Sequence, residues 1–353
     1  MTTETIIVGL GLAGSVLANK MKRRGESFVV IDRPELSMSS FVAAGIWNPI
    51  VFKRLTSSWM AKEVIPEMFD FFEKAETIHQ TKYFFPKKML KLFTEKQEAD
   101  LWKKKQCGEL SDFIDERIYF PEEFNIQGVD RPEYGFSFVT QSGHVRCAEF
   151  IQHTRKELSA SGQLIISKLE ANGLKIENGK YKWMDLTADR IVFCEGWLAS
   201  NNPFFSWIPF KPAKGEIVIF ESGELKMDYI LNKGVFVLPL GEKKFISGAT
   251  YEWGNLNDTV TAAKQSQLEE KLRTLLSCTY SITERKAGVR PSVIDRRPVI
   301  GEHPHHRNMF LFNGFGTKAV MLAPYFAEVF LDYVLNNREL PAEVNITRFS
   351  TRA

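Results

Sequence analysis

The chain has 353 residues, of which 44% are hydrophobic and 25% charged, a balance typical of folded globular proteins that excludes a disordered chain and a small disulfide-stapled scaffold. Its 46 basic residues against 43 acidic ones leave a net charge of +3, too even for an electrostatic nucleic-acid footprint. At about 150 residues per domain, the length predicts roughly two domains.

Thr5-Ile6-Ile7-Val8-Gly9 reads as a buried parallel strand, Ser15 to Arg24 as a helix closed by Gly25, and Ser27 to Asp32 as a second apolar strand. Together they predict one compact βαβ unit. Val64, Met68, Phe71, Phe72 and Ala75 share a helical face, predicting a helix from Ser57 to about Glu76, and Thr94-x-x-Gln97 has the spacing of a capping box for a second helix. Residues 79–139 are mixed and loop-rich, as expected of an insertion or second domain. Cys147 to Ser159 predicts a helix ended by Gly162. Gln163 to Glu170 predicts a strand, and the Asn172-Gly173 and Asn178-Gly179 turns a short antiparallel meander.

Ile191 to Cys194 reads as another buried strand. After Pro203, Pro209 and Pro212, strands are expected at Glu216 to Phe220, Val235 to Pro239 and Phe245 to Thr250, with Gly241 in a hairpin turn. Ala262 to Leu276 predicts an amphipathic helix and Met309 to Phe312 a strand. An apolar helix follows from Thr317, which Pro324 is expected to kink or break.

Gly9-Leu10-Gly11-Leu12-Ala13-Gly14 fits G-x-G-x-x-G between the first strand and the first helix. Gly9 permits the tight turn, Gly11 lets backbone approach a pyrophosphate, and Gly14 lets helix pack closely on strand. The helix N-terminus supplies N–H groups and a positive dipole end for the diphosphate. Asp32 ends the next strand, where a carboxylate accepts hydrogen bonds from ribose hydroxyls. The pattern does not separate FAD from NAD, and Arg33 is also suited to a 2′-phosphate.

Further motifs recur in order. They are Ala43-Ala44-Gly45-Ile46-Trp47-Asn48-Pro49, Ile191-Val192-Phe193-Cys194-Glu195-Gly196-Trp197, Gly288-Val289-Arg290-Pro291 with Asp295-Arg296-Arg297-Pro298-Val299-Ile300-Gly301, and Asn313-Gly314-Phe315-Gly316 before a helix containing Ala323-Pro324. The series resembles the D-amino-acid-oxidase and glycine-oxidase-like family of FAD-dependent oxidoreductases, which also includes sarcosine oxidases and the oxidase domain of a bifunctional tRNA-modifying enzyme.

The resemblance implies an α/β fold: a discontinuous Rossmann-type FAD-binding domain from 1–78, 140–205 and 285–353, and an α+β substrate domain with an antiparallel sheet from 79–139 and 206–284. It implies that Ala43, Ala44, Gly45 and Ile46 pass close to the isoalloxazine, that Leu169 lines the adenine side, and that Gly196 and Trp197 meet the nucleotide. Relatives carry small residues where Cys194 and Glu195 stand, and many have a glycine and a histidine where this chain has Gly316-Thr317-Lys318. Gly314 and Gly316 lead into a helix whose start at Thr317, with Lys318, is expected to set positive potential beside the flavin N1–C2=O edge.

On the substrate side, Arg290 is the candidate grip for a carboxylate, against a structural pairing with Asp295 or Glu284. Trp47 and Tyr251 read as core aromatics rather than pocket walls. Lys53 and Arg54 are expected either near the flavin or an anionic tail, or exposed. The implied reaction is oxidation of the C–N bond of an amino acid or secondary amine, by hydride transfer to flavin N5 and hydrolysis of the imine, with oxygen or a quinone as acceptor. Alternatives are a hydroxy acid or modified tRNA base as substrate, or a flavin-binding protein without turnover.

Cys107, Cys147, Cys194 and Cys278 form no C-x-x-C pair, and none lies in 288–301 or 314–320. No metal site and a noncovalent FAD are therefore expected. His303, His305 and His306 match no metal template and read as a solvated loop. No signal peptide or membrane span is predicted, so the cytoplasm is the expected location.

Overall fold

A computed structural model describes residues 1–33 and 39–352. The fold is mixed α/β with two principal sheets. In the first, five strands run parallel in the order Leu164–Ile166, Phe28–Asp32, Thr2–Val8, Leu186–Phe193 and His306–Asn313. Helix Leu12–Arg23 makes the first crossover. Ile7, Val30 and Val192 point into a core shared with this helix, while Ile6, Val8, Ile191 and Phe193 point to the opposite face among Trp183, Phe205 and Ile208. Burial on both faces explains why these strands read as unbroken apolar runs. The expected meander is the antiparallel set Lys175–Glu177, Lys180–Trp183 and Leu186–Phe193, turned at Asn178 and Gly179, both with positive φ.

The second sheet has seven strands, in the order Ser281–Arg290, Ala213–Glu221, Lys244–Gly248, Val235–Gly241, Ile230–Lys233, Met89–Leu92 and Phe136–Val139. All neighbours are antiparallel except Ile230–Lys233 with Met89–Leu92. Alternation sends Val218, Phe220, Val237 and Phe245 to one face, packed with Leu268 and Leu272 of helix Ala262–Arg273. Ile217, Leu238 and Ile246 face the other way, toward the main core. Strand Ser281–Arg290 pairs along its length within this sheet, so a domain boundary at 284/285 would cut through it.

Local differences from expectation have physical causes. The helix expected from Ser57 starts at Ala61, because Thr56–Ser57 pairs with Ile50–Val51 and Met60 adopts a left-handed conformation. Helix Lys96–Lys105 has Glu95 at its N-cap without a side-chain capping bond, and Glu98 rather than Gln97 engages Thr94: Glu98 Oε2 accepts from the Thr94 N–H at 2.7 Å and the Thr94 hydroxyl at 2.9 Å. The strand expected over 163–170 is only Leu164–Ile166. The hairpin after Val235–Gly241 turns on Glu242 and Lys243, both with positive φ, just beyond Gly241.

Helix Ala319–Asn336 continues through Pro324 without breaking. With the turn Gly316–Lys318 before it, it is long and apolar enough to cross a membrane by length and composition, contrary to expectation. Here Met321, Leu322, Phe326, Ala327, Phe330 and Leu331 are buried in the main core, and Arg24 of the first helix pairs with Glu328 and Asp332.

Candidate active site

The carboxyl ends of the parallel strands open onto one large cavity of about 640 Å³, bounded on its far side by the second sheet. This is where an open α/β sheet binds ligands, since strand ends diverge there and helix N-termini converge. The first strand delivers Gly9, Gly11, Leu12 and Ala13, the second Asp32 and Arg33, and the strand ending at Phe193 delivers Cys194, Glu195, Gly196 and Trp197. Ala43, Ala44, Gly45 and Ile46 line another wall, and Leu169 projects from the turn after Leu164–Ile166. Arg290, Gly316 and Thr317 complete the expected residues in the lining.

Two glycines of the turn have roles that no other residue could fill. A Cβ on Gly14 would sit 2.0 Å from the Gly9 carbonyl oxygen, so helix and strand could not approach as they do. Gly9 itself has φ +96°, and a Cβ there would lie 2.8 Å from the Cys194 carbonyl. Gly14 therefore packs behind the cavity rather than in its wall. Gly314 does likewise: its φ is +80° and a Cβ would meet Val293 and Val299.

Helix Leu12–Arg23 begins at Gly11 with no acidic side chain in its first turn. Its Leu12 N–H donates to Ser40 Oγ at 3.1 Å. The Asp32 carboxylate accepts from the Leu10 N–H at 2.8 Å and pairs with Arg155, a residue the sequence gave no reason to select. Among the described residues, Arg33 Nε and Arg155 Nη1 are buried donors without an acceptor. A bare helix start, a backbone cradle that a side chain would fill, and orphaned cationic donors beside an acid are the donor set an adenine dinucleotide requires. FAD fits this site.

Cys147 and Cys194 also line the cavity. Burial pushes the Cys147 thiol up to about 12 and raises that of Cys194 as well, so both are neutral thiols at physiological pH. Glu195, absent from the chemistry expected of this position, is half-buried in the cavity wall and accepts from Asn202 Nδ2 at 2.6 Å. Desolvation raises its pKa from 4.5 to about 7, with the Asn202 bond acting the other way.

Arg290 reaches the cavity from the end of the second sheet's edge strand. Its Nη1 donates to the Lys214 carbonyl and its Nη2 to the Thr250 carbonyl, both at 3.2 Å. Neither structural partner weighed for it is engaged: Asp295 pairs with Arg348, and Glu284 with Lys286. A Cβ on Gly215 would fall 2.1 Å from Nη2, so only glycine leaves room for the guanidinium. Burial lowers the pKa of this group, with Tyr251 opposing.

Other expectations need correction. Lys318 does not line the cavity; its buried amine donates to the Asn48 carbonyl at 2.6 Å, and desolvation lowers its pKa to about 8. Trp47 is core, but Tyr251 is exposed beside Arg290. Lys53 and Arg54 are exposed. His303 is buried, its Nε2 at 2.8 Å from the Phe204 carbonyl, so the histidine cluster is not wholly a solvated loop. No metal-binding cluster occurs among the described residues.

The family model described as FAD dependent oxidoreductase, DAO, matches residues 4–333. The chain belongs to this family. Its relatives include the bifunctional protein ThiO/ThiG of Trichormus variabilis, 22% identical over 377 residues, covering 100% of this chain and 56% of that protein. Glycine oxidase of Bacillus subtilis is 24% identical over 160 residues, 43% of this chain and 42% of that one. The chain thus spans about half the length of the first curated relatives it matches. Among solved structures, glycine oxidase from Geobacillus kaustophilus superposes with a TM-score of 0.83 at 19% identity, covering 98% of this chain and 99% of that one. Iminodiacetate oxidase from Chelativorans sp. BNC1 gives 0.81 at 17% identity over 98% of each. The fold is accordingly the one these structures share, a Rossmann-type domain with a second domain.

Proposed function

We propose that this flavoenzyme oxidises the C–N bond of an amino acid or secondary amine that carries a carboxylate. Arg290 carries the reading. A guanidinium held, among the described residues, by two backbone carbonyls and by no carboxylate, and facing a cavity, keeps N–H donors and charge for an incoming anion. Names of relatives point the same way: glycine oxidase and iminodiacetate oxidase are named for amine-bearing carboxylates.

On this reading Gly9 to Ala13 and the helix start behind them hold the diphosphate, and Asp32 faces the ribose. Ala43 to Ile46, with Gly316 and Thr317, admit the ring, and Leu169, Gly196 and Trp197 contact the nucleotide. When bound, FAD supplies a two-electron acceptor for hydride. Arg290 fixes the substrate carboxylate and with it the α-carbon, converting a bimolecular encounter into a positioned one. The second sheet excludes water from that side through Ile217, Phe236 and Ala249. The amine must be neutral to release hydride, and the imine product is hydrolysed to a carbonyl compound. We assign 1–78, 140–205 and the segment after Arg290 to the nucleotide-binding part, and 79–139 with 206–290 to the substrate part.

The test is an anaerobic visible spectrum of the holoenzyme before and after adding glycine, sarcosine, proline and D- and L-amino acids. Bleaching of the flavin by one of them, with a KM raised about 100-fold in Arg290→Ala, is expected for a lost two-point charged grip worth about 3 kcal/mol. A flavin that no amine bleaches refutes the reading.

A further inference from the structure

The face of the second sheet that closes the cavity does not stop at Arg290. Gly215 and Ile217 reach the cavity from strand Ala213–Glu221, Gly288 and Arg290 from Ser281–Arg290, and Ala249 from the residue after Lys244–Gly248. Beyond Ala249 the chain stays extended and pinned to its neighbour. The Thr250 N–H donates to the Glu216 carbonyl at 3.1 Å, and the Thr250 hydroxyl accepts from the Glu216 N–H at 2.9 Å. Glu252 and Lys214 then exchange both backbone hydrogen bonds, at 2.8 and 3.0 Å. With residues 250 and 252 paired to that strand, the period-two alternation of extended backbone places Ala249 and Tyr251 on one side, and the chain bends at Trp253.

The ring positions follow. The Arg290 guanidinium carbon lies 4.3 Å from the Tyr251 ring centroid. Tyr251 in turn sits 5.4 Å from Trp253, with the two rings tilted by 47°. Cavity wall, guanidinium, phenol and indole thus form one continuous row. Yet Tyr251 is 43% and Trp253 55% exposed, although large aromatics are normally withdrawn from water. Side chains of the same strand, Lys214 and Glu216, hold the chain that follows. Lys214 Nζ donates to Asn257 Oδ1 at 2.8 Å, while Glu216 accepts from the Thr261 N–H at 2.9 Å and from Gln265 at 2.7 Å.

We propose that Tyr251 and Trp253 form an aromatic shelf at the mouth of the cavity, and that the substrate carries a planar aryl or heteroaryl group that stacks there while its carboxylate meets Arg290. This rests on the reading of Arg290 given above and narrows the substrate class. A substrate as small as glycine would leave the shelf bare; an aryl-bearing amine covers both rings and gains offset or edge-to-face contacts with each.

The experiment is calorimetric titration of the holoenzyme with acetate, phenylacetate and indole-3-acetate, carboxylates that carry no amine and undergo no C–N oxidation. The shelf predicts that the two arylacetates bind about tenfold or more tightly than acetate, from two aromatic contacts of about 0.5–1.5 kcal/mol each. In Trp253→Ala and in the milder Trp253→Leu, that ratio falls to within about threefold. Equal affinity for acetate and arylacetates overturns the inference, and so does an aryl preference that survives both substitutions. Sedimentation showing Trp253 covered by a second copy of the chain would also overturn it. Failure of the amine-oxidation reading looks different: the aryl preference and its loss on substitution persist, but no amine bleaches the flavin.

Discussion

Replacing Glu195 by glutamine tests whether the half-buried carboxyl beside the glycine-rich turn behaves as its surroundings dictate. Among the described residues Asn202 is its one hydrogen-bonding side chain and no cation contributes to its titration, and desolvation raises its pKa from 4.5 to about 7. Between these values the native state holds a proton that the unfolded chain has released, so stability falls as pH rises, and the loss is complete above 7. At about 1.4 kcal/mol per pH unit, the interval amounts to about 3 kcal/mol. Urea melts of the apoprotein at pH 5, 6, 7 and 8 should therefore show Glu195→Gln gaining on the natural protein as pH rises, by up to about 3 kcal/mol at pH 8. Glutamine keeps the acceptor for Asn202 and carries no charge, so packing is conserved. Parallel pH profiles for the two proteins would refute the argument, because they would mean that the carboxyl ionises as freely folded as unfolded.

Gly215→Ala would place a methyl group 2.1 Å from Arg290 Nη2, so the guanidinium must move. We expect KM for a carboxylate-bearing substrate to rise about 10- to 100-fold, the range of one charged hydrogen bond; an equal loss of bound flavin would assign the damage to the cofactor side instead. Gly14→Ala forces its methyl group against the Gly9 carbonyl and should yield protein that purifies without flavin and melts earlier, by about 1–3 kcal/mol of overpacking. Full flavin content would show that the turn can relax. Lys318, whose amine is held near a pKa of 8 by burial, binds fewer protons folded than unfolded up to 10.5. Stability should therefore rise between pH 8 and 10.5, and in Lys318→Met that rise should disappear from thermal melts.

What the sequence revealed of this site follows from how each part is encoded. The nucleotide cradle depends on contacts between near neighbours: Gly9 and Gly14 touch each other within one turn, and Asp32 reaches Leu10 across a single crossover. Such geometry leaves a spacing signature. Arg155 meets Asp32 across 123 positions, and Ser40 meets Leu12 across 28, with no periodic pattern to mark either. The misplaced start of the helix at Ala61 has the same origin, since its apolar face was readable but the pairing of Thr56–Ser57 with Ile50–Val51 was not. Lys318 shows a further limit. Its position at a helix start suggested a charge turned to the flavin, but the long side chain runs instead to the Asn48 carbonyl, and only packing decides which way such a chain points.

The substrate side is encoded almost wholly at long range, and Arg290 shows why that matters for chemistry. Its two acceptors come from separate strands, Lys214 on one neighbour and Thr250 beyond the next, which are themselves tied together through Glu216. Carbonyl oxygens fix the guanidinium without neutralising it. A carboxylate partner in their place would fix it equally well but would compete with substrate for the same donors. A half-buried cation with no carboxylate partner among the described residues is costly to hold, and removing one partner of a buried ion pair ordinarily destabilises a protein for that reason. On the proposed function that cost is offset when an anion arrives, and binding energy is concentrated on the one substrate group that fixes the α-carbon. Tyr251, lying against the same guanidinium, joins it to the exposed Trp253, and on the proposed shelf the carboxylate and the group beyond it are met by one continuous surface.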